Sequence, residues 1–484
     1  MKATLTQFPA LRRVLAAVIC AATLTLQFNA AAAARPNIVF FFADDLGWTG
    51  LRCFGSDLYE TPHLDRLAKE GMKFTDAYSA CTVCSPSRAA VMTGKYPARL
   101  HLTDFIAGQD RPFTKLSIPN WQKWLKHEEV TIAEALAIGG YKTAQVGKWH
   151  LNRKDAGAKG YDPVDHGFDR QVMKPPAKGY FLTKPAGDFK KGDFTTDYLA
   201  SEAAKIVDEW KNDPFFLYFA FHVPHTPIMG KKELIDAYAK KVQPNAKHNN
   251  PTYAAMVHSM DEAVGKVIGQ LEKSDVADNT VIVFTSDNGG LTQRYGKHDG
   301  FTDNYPLRRG KGSAYEGGVR VPLIVKWPGV TTAGTTCREP VIGIDYYPTF
   351  LEIAGIKGDA KHNQNVDGLS LVSLFKNPKA QLKRDAIYWH YPHYHAGGDG
   401  PYNAVRSRDW RLVQFYEDGS EALYNLKDDL HEQADVAGQN AAVAAKLRNQ
   451  LDNWRIAVKA QMLMPNPNHD PAKATQVSKR GRKK

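Results

Sequence analysis

Strand and helix alternate along most of the 484 residues, which predicts an α/β protein with a mostly parallel sheet between helices. Two further observations refine that class. The first strand, "PNIVFFFADD" (36–45), is apolar without alternation, as in a strand covered on both faces. After about residue 380 the pattern changes to "AIYWHYPHYH", "YNAVRSRDWRLVQFYEDGSEALYNL" and a terminal helix near 439–461. Short strands joined by Arg-Asp and Asp-Gly turns predict a small antiparallel sheet with one packed helix, a C-terminal α+β subdomain.

The elements follow in order. "TPHLDRLAKEGMKF" reads as a helix and then a strand. "TIAEALAIGGYKTAQVGKWHL" opens with Thr131 and Glu134 in capping-box spacing, ends its helix at Gly139-Gly140 and continues into a strand. "TDYLASEAAKIVDEWKNDPFFLYFAFH" repeats the scheme, with Pro214 after the helix and a buried strand over 215–221. "TYAAMVHSMDEAVGKVIGQLEKSDVADNTVIVFTSDNGG" repeats it again, "VRVPLIVKWPG" adds a strand, and "VIGIDYYPTFLEIAG" adds another strand–helix unit.

The two ends differ from this body. Lys2, Arg12 and Arg13 precede an uncharged run from Val14 that closes on small residues at Ala30–Ala34. That order reads as a cleaved signal peptide over 1–34, hence a periplasmic or secreted protein. The apolar run is shorter than the roughly 18 residues of a spanning helix, so no membrane span is expected. A main α/β domain is placed at 35–379, the subdomain at 380–464 and a basic disordered tail at 465–484. Three basic residues before residue 35 and six after Pro471, with no acid in either stretch, leave the body only +3 of the net +12. A nucleic-acid partner is therefore not expected. Cys53, Cys81, Cys84 and Cys337 remain after the signal segment, too few for a disulfide-built scaffold. Stability must come from the core, which 43% hydrophobic residues can supply.

In an open α/β sheet ligands bind beyond the carboxyl ends of the strands. Asp44 and Asp45 follow the first strand, Lys148 and His150 the strand ending near Gly147, His222 and His225 the strand over 215–221, and Asp287 and Asn288 that over 280–286. Singly, each has an ordinary reading as a cap, a turn or a structural histidine. Together, oxygen donors from two strand ends and cations from the others suit a hard divalent cation and an anionic ligand. Pro86 fits a first helical turn, so Cys84 stands at a helix N-terminus where an anion is favoured; Ser87 is expected to help cap that turn, and Arg88 follows one turn along. From the residues alone, Cys81 and Cys84 could form a disulfide or half a metal site, or supply a nucleophile.

"CSPSRAAVMTG" (84–94) resembles the signature of the formylglycine-dependent sulfatases, Cys-x-Pro-Ser-Arg followed by a helix and Thr-Gly. "ADD", "GKWHL", "HVPHTP", "SDNGG" and "GKGSAYEGGVRVP" occur in that family's order and approximate spacing. The resemblance covers nearly the whole chain after residue 34. It implies the alkaline phosphatase-like fold and a sulfuric ester hydrolase whose Cys84 is oxidised by a formylglycine-generating maturation enzyme to 3-oxoalanine (formylglycine), the nucleophile in its hydrated form. It further implies a calcium ion, with magnesium the alternative, on Asp44, Asp45, Asp287, Asn288 and the modified residue 84. Arg88 matches the arginine that holds the hydrate, Lys148 and Lys311 the lysines on the sulfate oxygens, His150 the histidine near residue 84, and His225 that on the leaving-group side. Cys81 lies outside the signature and is expected to be a packing residue.

The segment "WHYPHYHAGGDGPYNAVR" (389–406), dense in His and Tyr, suits either a sugar-binding wall or packing under the subdomain. Taken as a wall, with His393 as its substrate-binding residue, it points to exo action on a sulfated saccharide of the galactose or N-acetylgalactosamine sulfate type. The alternatives are a phosphodiester or phosphonate monoester hydrolase of the same superfamily and a non-catalytic glycan-binding relative. The oligomeric state is not set by the sequence.

Overall fold

The computed structural model describes residues 35–152, 160–292 and 300–477. The signal segment expected over 1–34, and the last residues of the tail, lie outside them. The central strand β1 (Asn37–Ala43) has all seven residues buried. Its side chains alternate: Val39, Phe41 and Ala43 enter one core and Ile38, Phe40 and Phe42 the other. A strand buried on both faces needs apolar residues at every position, which accounts for its unbroken run.

Seven more strands complete the sheet: β2 (Met72–Phe74), β3 (Lys142–Gly147), β4 (Arg170–Val172), β5 (Phe215–Ala220), β6 (Thr280–Ser286), β7 (Leu323–Lys326) and β8 (Thr335–Cys337). Their order is β8-β2-β7-β6-β1-β5-β3-β4. β1 pairs in parallel with both β5 and β6, and only β7 runs against its neighbours. Helices α1 (Pro62–Glu70), α4 (Thr195–Trp210) and α5 (Pro251–Lys273) cover the Val39 face. Helices α2 (Cys84–Thr93), α3 (Ile132–Ile138) and α6 (Tyr346–Ala354) cover the Phe40 face. The capping box expected at α3 is formed, with the Thr131 hydroxyl accepting from the Glu134 N–H and the Glu134 carboxylate from the Thr131 N–H.

The subdomain is an antiparallel sheet of β9 (Ile387–Tyr391), β10 (Tyr402–Ser407), β11 (Trp410–Phe415) and β12 (Glu421–Asn425), with helix α7 (Ala441–Ala457) packed on it through Leu447, Leu451 and Trp454. Its other contacts run to Tyr78, Val83 and Ala90. All ten residues of α2 are thereby buried, between the main sheet on one side and the subdomain on the other. Small residues such as Ala89 and Ala90 permit that enclosure. A buried ionic seam joins the two parts: Arg411 lies 3.1 Å from Glu316 and 3.2 Å from Glu432, and Asp76 receives both Arg320 and Arg406.

Two expectations change. The strand read in "VIGIDYYPTFLEIAG" is only Val341–Ile342, paired with Ala77–Tyr78 outside the main sheet. The tail expected to be disordered from residue 465 is instead anchored at its start: Met464–Pro465 pairs with Leu116–Ser117, the Asn466 side chain donates to the Pro112 and Thr114 carbonyls, and the Asp470 N–H to that of Phe113. Backbone pairing holds a segment whose composition alone predicts no core contact.

Arg411→Met is expected to lower the unfolding free energy by about 3–5 kcal/mol, because Glu316 and Glu432 lose a buried counter-charge. Urea unfolding followed by tryptophan fluorescence measures it; a loss below about 1 kcal/mol, typical of surface pairs, would remove the seam as a structural determinant.

Candidate active site

Parallel pairing in register places Ala43 opposite Ser286, so the two strands end side by side. The next residues, Asp44 and Asp45 on one strand and Asp287 and Asn288 on the other, form one cluster. The Asp45 N–H donates to the Asp287 carboxylate at 3.0 Å, and the Asn288 amide donates to that of Asp45 at 2.8 Å. Carboxylate oxygens of Asp44, Asp45 and Asp287 all lie within 4.8 Å of one another, and all four residues are buried. Asp45 adopts a left-handed φ of 65°, strain of the kind that concentrates at functional sites.

Three cations answer these charges. Arg88, fully buried, donates to Asp287 at 2.6 and 3.1 Å. Lys148 lies 2.7 Å from Asp44, and Lys311 lies 2.6 and 2.8 Å from the two Asp45 oxygens. Burial works to raise all three carboxyls. For Asp44 the charges of Lys148, His225 and Arg88 overcome it, and for Asp45 those of Lys311 and His225 do, so both are held below the ordinary value. Asp287 is pushed up by burial and by Asp44, its cations notwithstanding.

Cys84 opens α2, buried, with its sulfur within 4.8 Å of an Asp44 oxygen and a His225 nitrogen. Burial holds it as a thiol against the pull of Lys148 and Lys311. Cys53, Cys81, Cys84 and Cys337 are all unpaired, and Cys81 packs in the core beneath the subdomain. Ser87 does not cap the helix as expected: its hydroxyl donates to the Cys81 and Val83 carbonyls at 2.9 and 3.1 Å, a local bond open to serine inside a first turn.

His225 donates Nδ1–H to the Thr226 carbonyl and turns Nε2 toward Asp45, 3.7 Å away. Burial lowers its pKa and Asp45 partly restores it. His150 donates Nε2–H to the Ile106 carbonyl, leaving Nδ1 buried without a partner among the described residues. The structure thus gathers Asp44, Asp45, Cys84, Arg88, Lys148, His150, His225, Asp287, Asn288 and Lys311 in one site. His393 is not among them. It is 1% exposed, bonded through Nε2 to the Thr103 hydroxyl and packed on Trp121 and Tyr391, with Nδ1 buried and without a hydrogen-bond partner among the described residues.

Two residues outside the sequence reading belong to the surroundings. Lys174, just after β4, is within electrostatic reach of Lys148, His222 and Asp44 and has no carboxylate within 4 Å among the described residues; the strand-end rule would have found it had the short β4 been read. Tyr180 donates its hydroxyl to the His222 and His225 carbonyls and so fixes their loop.

The donor set fits a hard divalent cation. Its side chains offer oxygen, and two buried oxygens, Asp44 Oδ1 and Asn288 Oδ1, lack a hydrogen-bond partner among the described residues. A compact anion with a central electrophile suits the rest: fixed positive charge from Arg88, Lys148 and Lys311, a residue at a helix N-terminus to attack, and an imidazole opposite. Fold and site together define a hydrolase of anionic esters.

Comparison with known proteins specifies which. Residues 36–356 match the Sulfatase family model, and residues 310–457 match that of the N-sulphoglucosamine sulphohydrolase C-terminal region. A "Sulfatase" of Formosa agariphila is 33% identical over 87% of this chain and 89% of its own. The N-acetylgalactosamine-6-sulfatase of Rattus norvegicus is 32% identical over 70% of this chain and 65% of its own. A crystal structure of Ps i-CgsB in complex with k-i-k-neocarrahexaose superposes with a TM-score of 0.72 at 30% identity, covering 87% of this chain and 92% of that one. The chain belongs to the sulfatase family and is a sulfuric ester hydrolase with that family's alkaline phosphatase-like fold.

Calcium is expected to raise the unfolding free energy of the chelator-treated protein, by about 2.7 kcal/mol at a hundredfold excess over its Kd. Asp45→Asn and Asp287→Asn should abolish that shift, whereas Asp213→Asn, in an exposed ion pair with Lys142, should keep it. Calorimetric unfolding with and without calcium distinguishes them, and a shift surviving Asp287→Asn would place the ion elsewhere.

Proposed function

We propose that this sulfatase removes sulfate from a sulfated saccharide, acting from the chain end on a galactose or N-acetylgalactosamine sulfate, with formylglycine made from Cys84 as its nucleophile. The observation that carries the reading is the setting of Cys84: first residue of a helix, enclosed, and close to both Asp44 and His225. An unmodified thiol held protonated in that place is a poor nucleophile. A hydrated aldehyde there has two hydroxyls, and His150 Nδ1, an acceptor without a partner among the described residues, suits one of them. The saccharide class draws support from the N-acetylgalactosamine-6-sulfatase relative and the k-i-k-neocarrahexaose named with the structural neighbour.

In this mechanism Lys148 and Lys311 hold the sulfate oxygens and Arg88 the hydrate. Asp44, Asp45, Asp287, Asn288 and residue 84 would hold a divalent cation, calcium with magnesium the alternative, which would supply further positive charge against the ester's anionic oxygens. One hydroxyl of the hydrate gives its proton to a neighbouring carboxylate of the cluster and attacks sulfur in line, the S–O bond to the sugar breaks, and protonated His225 gives its proton to the departing alcohol. Loss of the proton from the second hydroxyl re-forms the aldehyde and expels sulfate, and water restores the hydrate. A serine or cysteine ester lacks that second hydroxyl and therefore that exit. The reading includes a maturation enzyme as partner and a periplasmic or secreted location.

In protein from a host with the maturation system, mass spectrometry of the peptide containing Cys84 should show the loss of sulfur and two hydrogens and the gain of one oxygen. Cys84→Ala should abolish sulfate release with an unchanged circular dichroism spectrum; turnover retained in that variant rules out residue 84 as nucleophile. His225→Ala should slow alkyl and sugar sulfates by about 10²–10⁴-fold, and aryl sulfates with good leaving groups much less. Equal losses on both would remove His225 as the acid.

A further inference from the structure

The turn after β9 carries a second histidine, and its surroundings differ from those of His393. His395 packs directly on Gly312, the residue after Lys311: a Cβ at 312 would stand 2.1 Å from the His395 Nδ1, and φ there is +83°. The two segments touch again where a Cβ on Gly398 would meet the Gly312 carbonyl at 2.2 Å. Gly312 in turn donates its N–H to the Thr82 carbonyl, two residues before Cys84. His395 is therefore packed beside Lys311 by close contacts that only glycine at 312 permits.

Its ring has a defined tautomer. Nδ1 accepts from the Gly397 N–H at 3.2 Å, so the neutral ring carries its proton on Nε2. No described residue takes that proton, and although His395 is only 7% exposed its Nε2 is not sealed from solvent. A donor at an open edge with no protein acceptor can give its proton to a ligand oxygen. Burial and the charges of Lys311 and Arg111 keep the ring neutral, down to about 3. Phe105 stands edge-on to it at 6.0 Å, an apolar surface of the kind sugar rings pack on.

Arg111 adds charge. Its guanidinium is half-buried, donates to Gln109 at 3.1 Å, leaves Nε buried without a partner and has no carboxylate within 4 Å among the described residues. A half-buried guanidinium whose nearest acting acid, Asp104, forms no ion pair with it within 4 Å can seat a planar or tetrahedral anion.

We propose that His395 and Arg111 form the wall that selects the sugar bearing the scissile sulfate: His395 Nε2–H donates to an oxygen on a neighbouring ring carbon, and Arg111 takes a second anionic substituent. This rests on the saccharide reading above and narrows it to a polyanionic glycan. The second anion is a sulfate or a uronate carboxylate, both of which a guanidinium accepts.

The test compares kcat/KM for an aryl sulfate, a monosulfated saccharide, its disulfated form and its uronate-containing form. His395→Ala should lower the saccharide-to-aryl ratio at least about tenfold, and His395→Gln, which keeps an N–H donor, should recover part of it. Arg111→Met should lower the ratio of one doubly anionic substrate to the monosulfated one by about tenfold; which of the two responds identifies the anion. A folded His395→Ala with an unchanged ratio, including equal losses on both substrates, overturns the histidine's role. If His395→Ala does not fold, an unchanged ratio in His395→Gln together with Arg111→Met overturns the wall. An unchanged ratio in Arg111→Met for both doubly anionic substrates overturns the anion seat. Wild-type protein that cleaves aryl sulfate and none of the saccharides overturns the saccharide reading itself.

Discussion

Three carboxylates forced together in a dry interior are the constraint on which the rest of this molecule depends. Register between β1 and β6 leaves Asp44, Asp45 and Asp287 no freedom to separate. A buried ion costs several kcal/mol unless compensated, so each acid must be met by a cation brought from elsewhere. Arg88 arrives on a helix, Lys148 at the end of β3, and Lys311 on the loop before β7. The packing of α2, the reach of β3 and the path of the 310–320 loop are all ways of delivering charge to one point. The same charges then serve an anionic ester, because positive groups already held in place need not reorganise when a substrate enters.

Much of this was legible because the code at strand ends is short. Unbroken apolar runs located β1, β5 and β6, and the residue types beyond these strands and beyond β3, together with the helix that Cys84 opens, named every group that the structure gathers around Cys84 except Lys311, which came from the family resemblance. What local sequence could not carry was direction and turn geometry. Nothing within "VRVPLIVKWPG" distinguishes a parallel strand from the antiparallel β7, since that depends on the path of the chain before it. His393 and His395 look alike in "WHYPHYH"; a turn of backbone sends one against Trp121 and the other against Gly312. Ser87 is a good capping residue by type, but within the first turn its hydroxyl finds carbonyls nearer than free N–H groups.

The subdomain is more than a lid of strands on a finished enzyme. It closes the outer side of α2, where Val83 and Ala90 meet Trp389 and Tyr402, and it contributes the arginine that holds Glu316. The two family models that match the chain overlap over residues 310–356, the stretch that runs from the cation loop into α6. The boundary drawn by sequence pattern near residue 380 therefore separates two folding motifs and not two independent functions.

The seam formed by Glu316, Arg411 and Glu432 also sets an order in time. The 310–320 loop, which presents Lys311, is completed by residues that follow it by about a hundred positions. As the chain leaves the ribosome, β1, α2 and β6 can all assemble while that loop still lacks its partners. The loop that presents Lys311 therefore cannot make its full set of buried contacts until residue 432 has been synthesised.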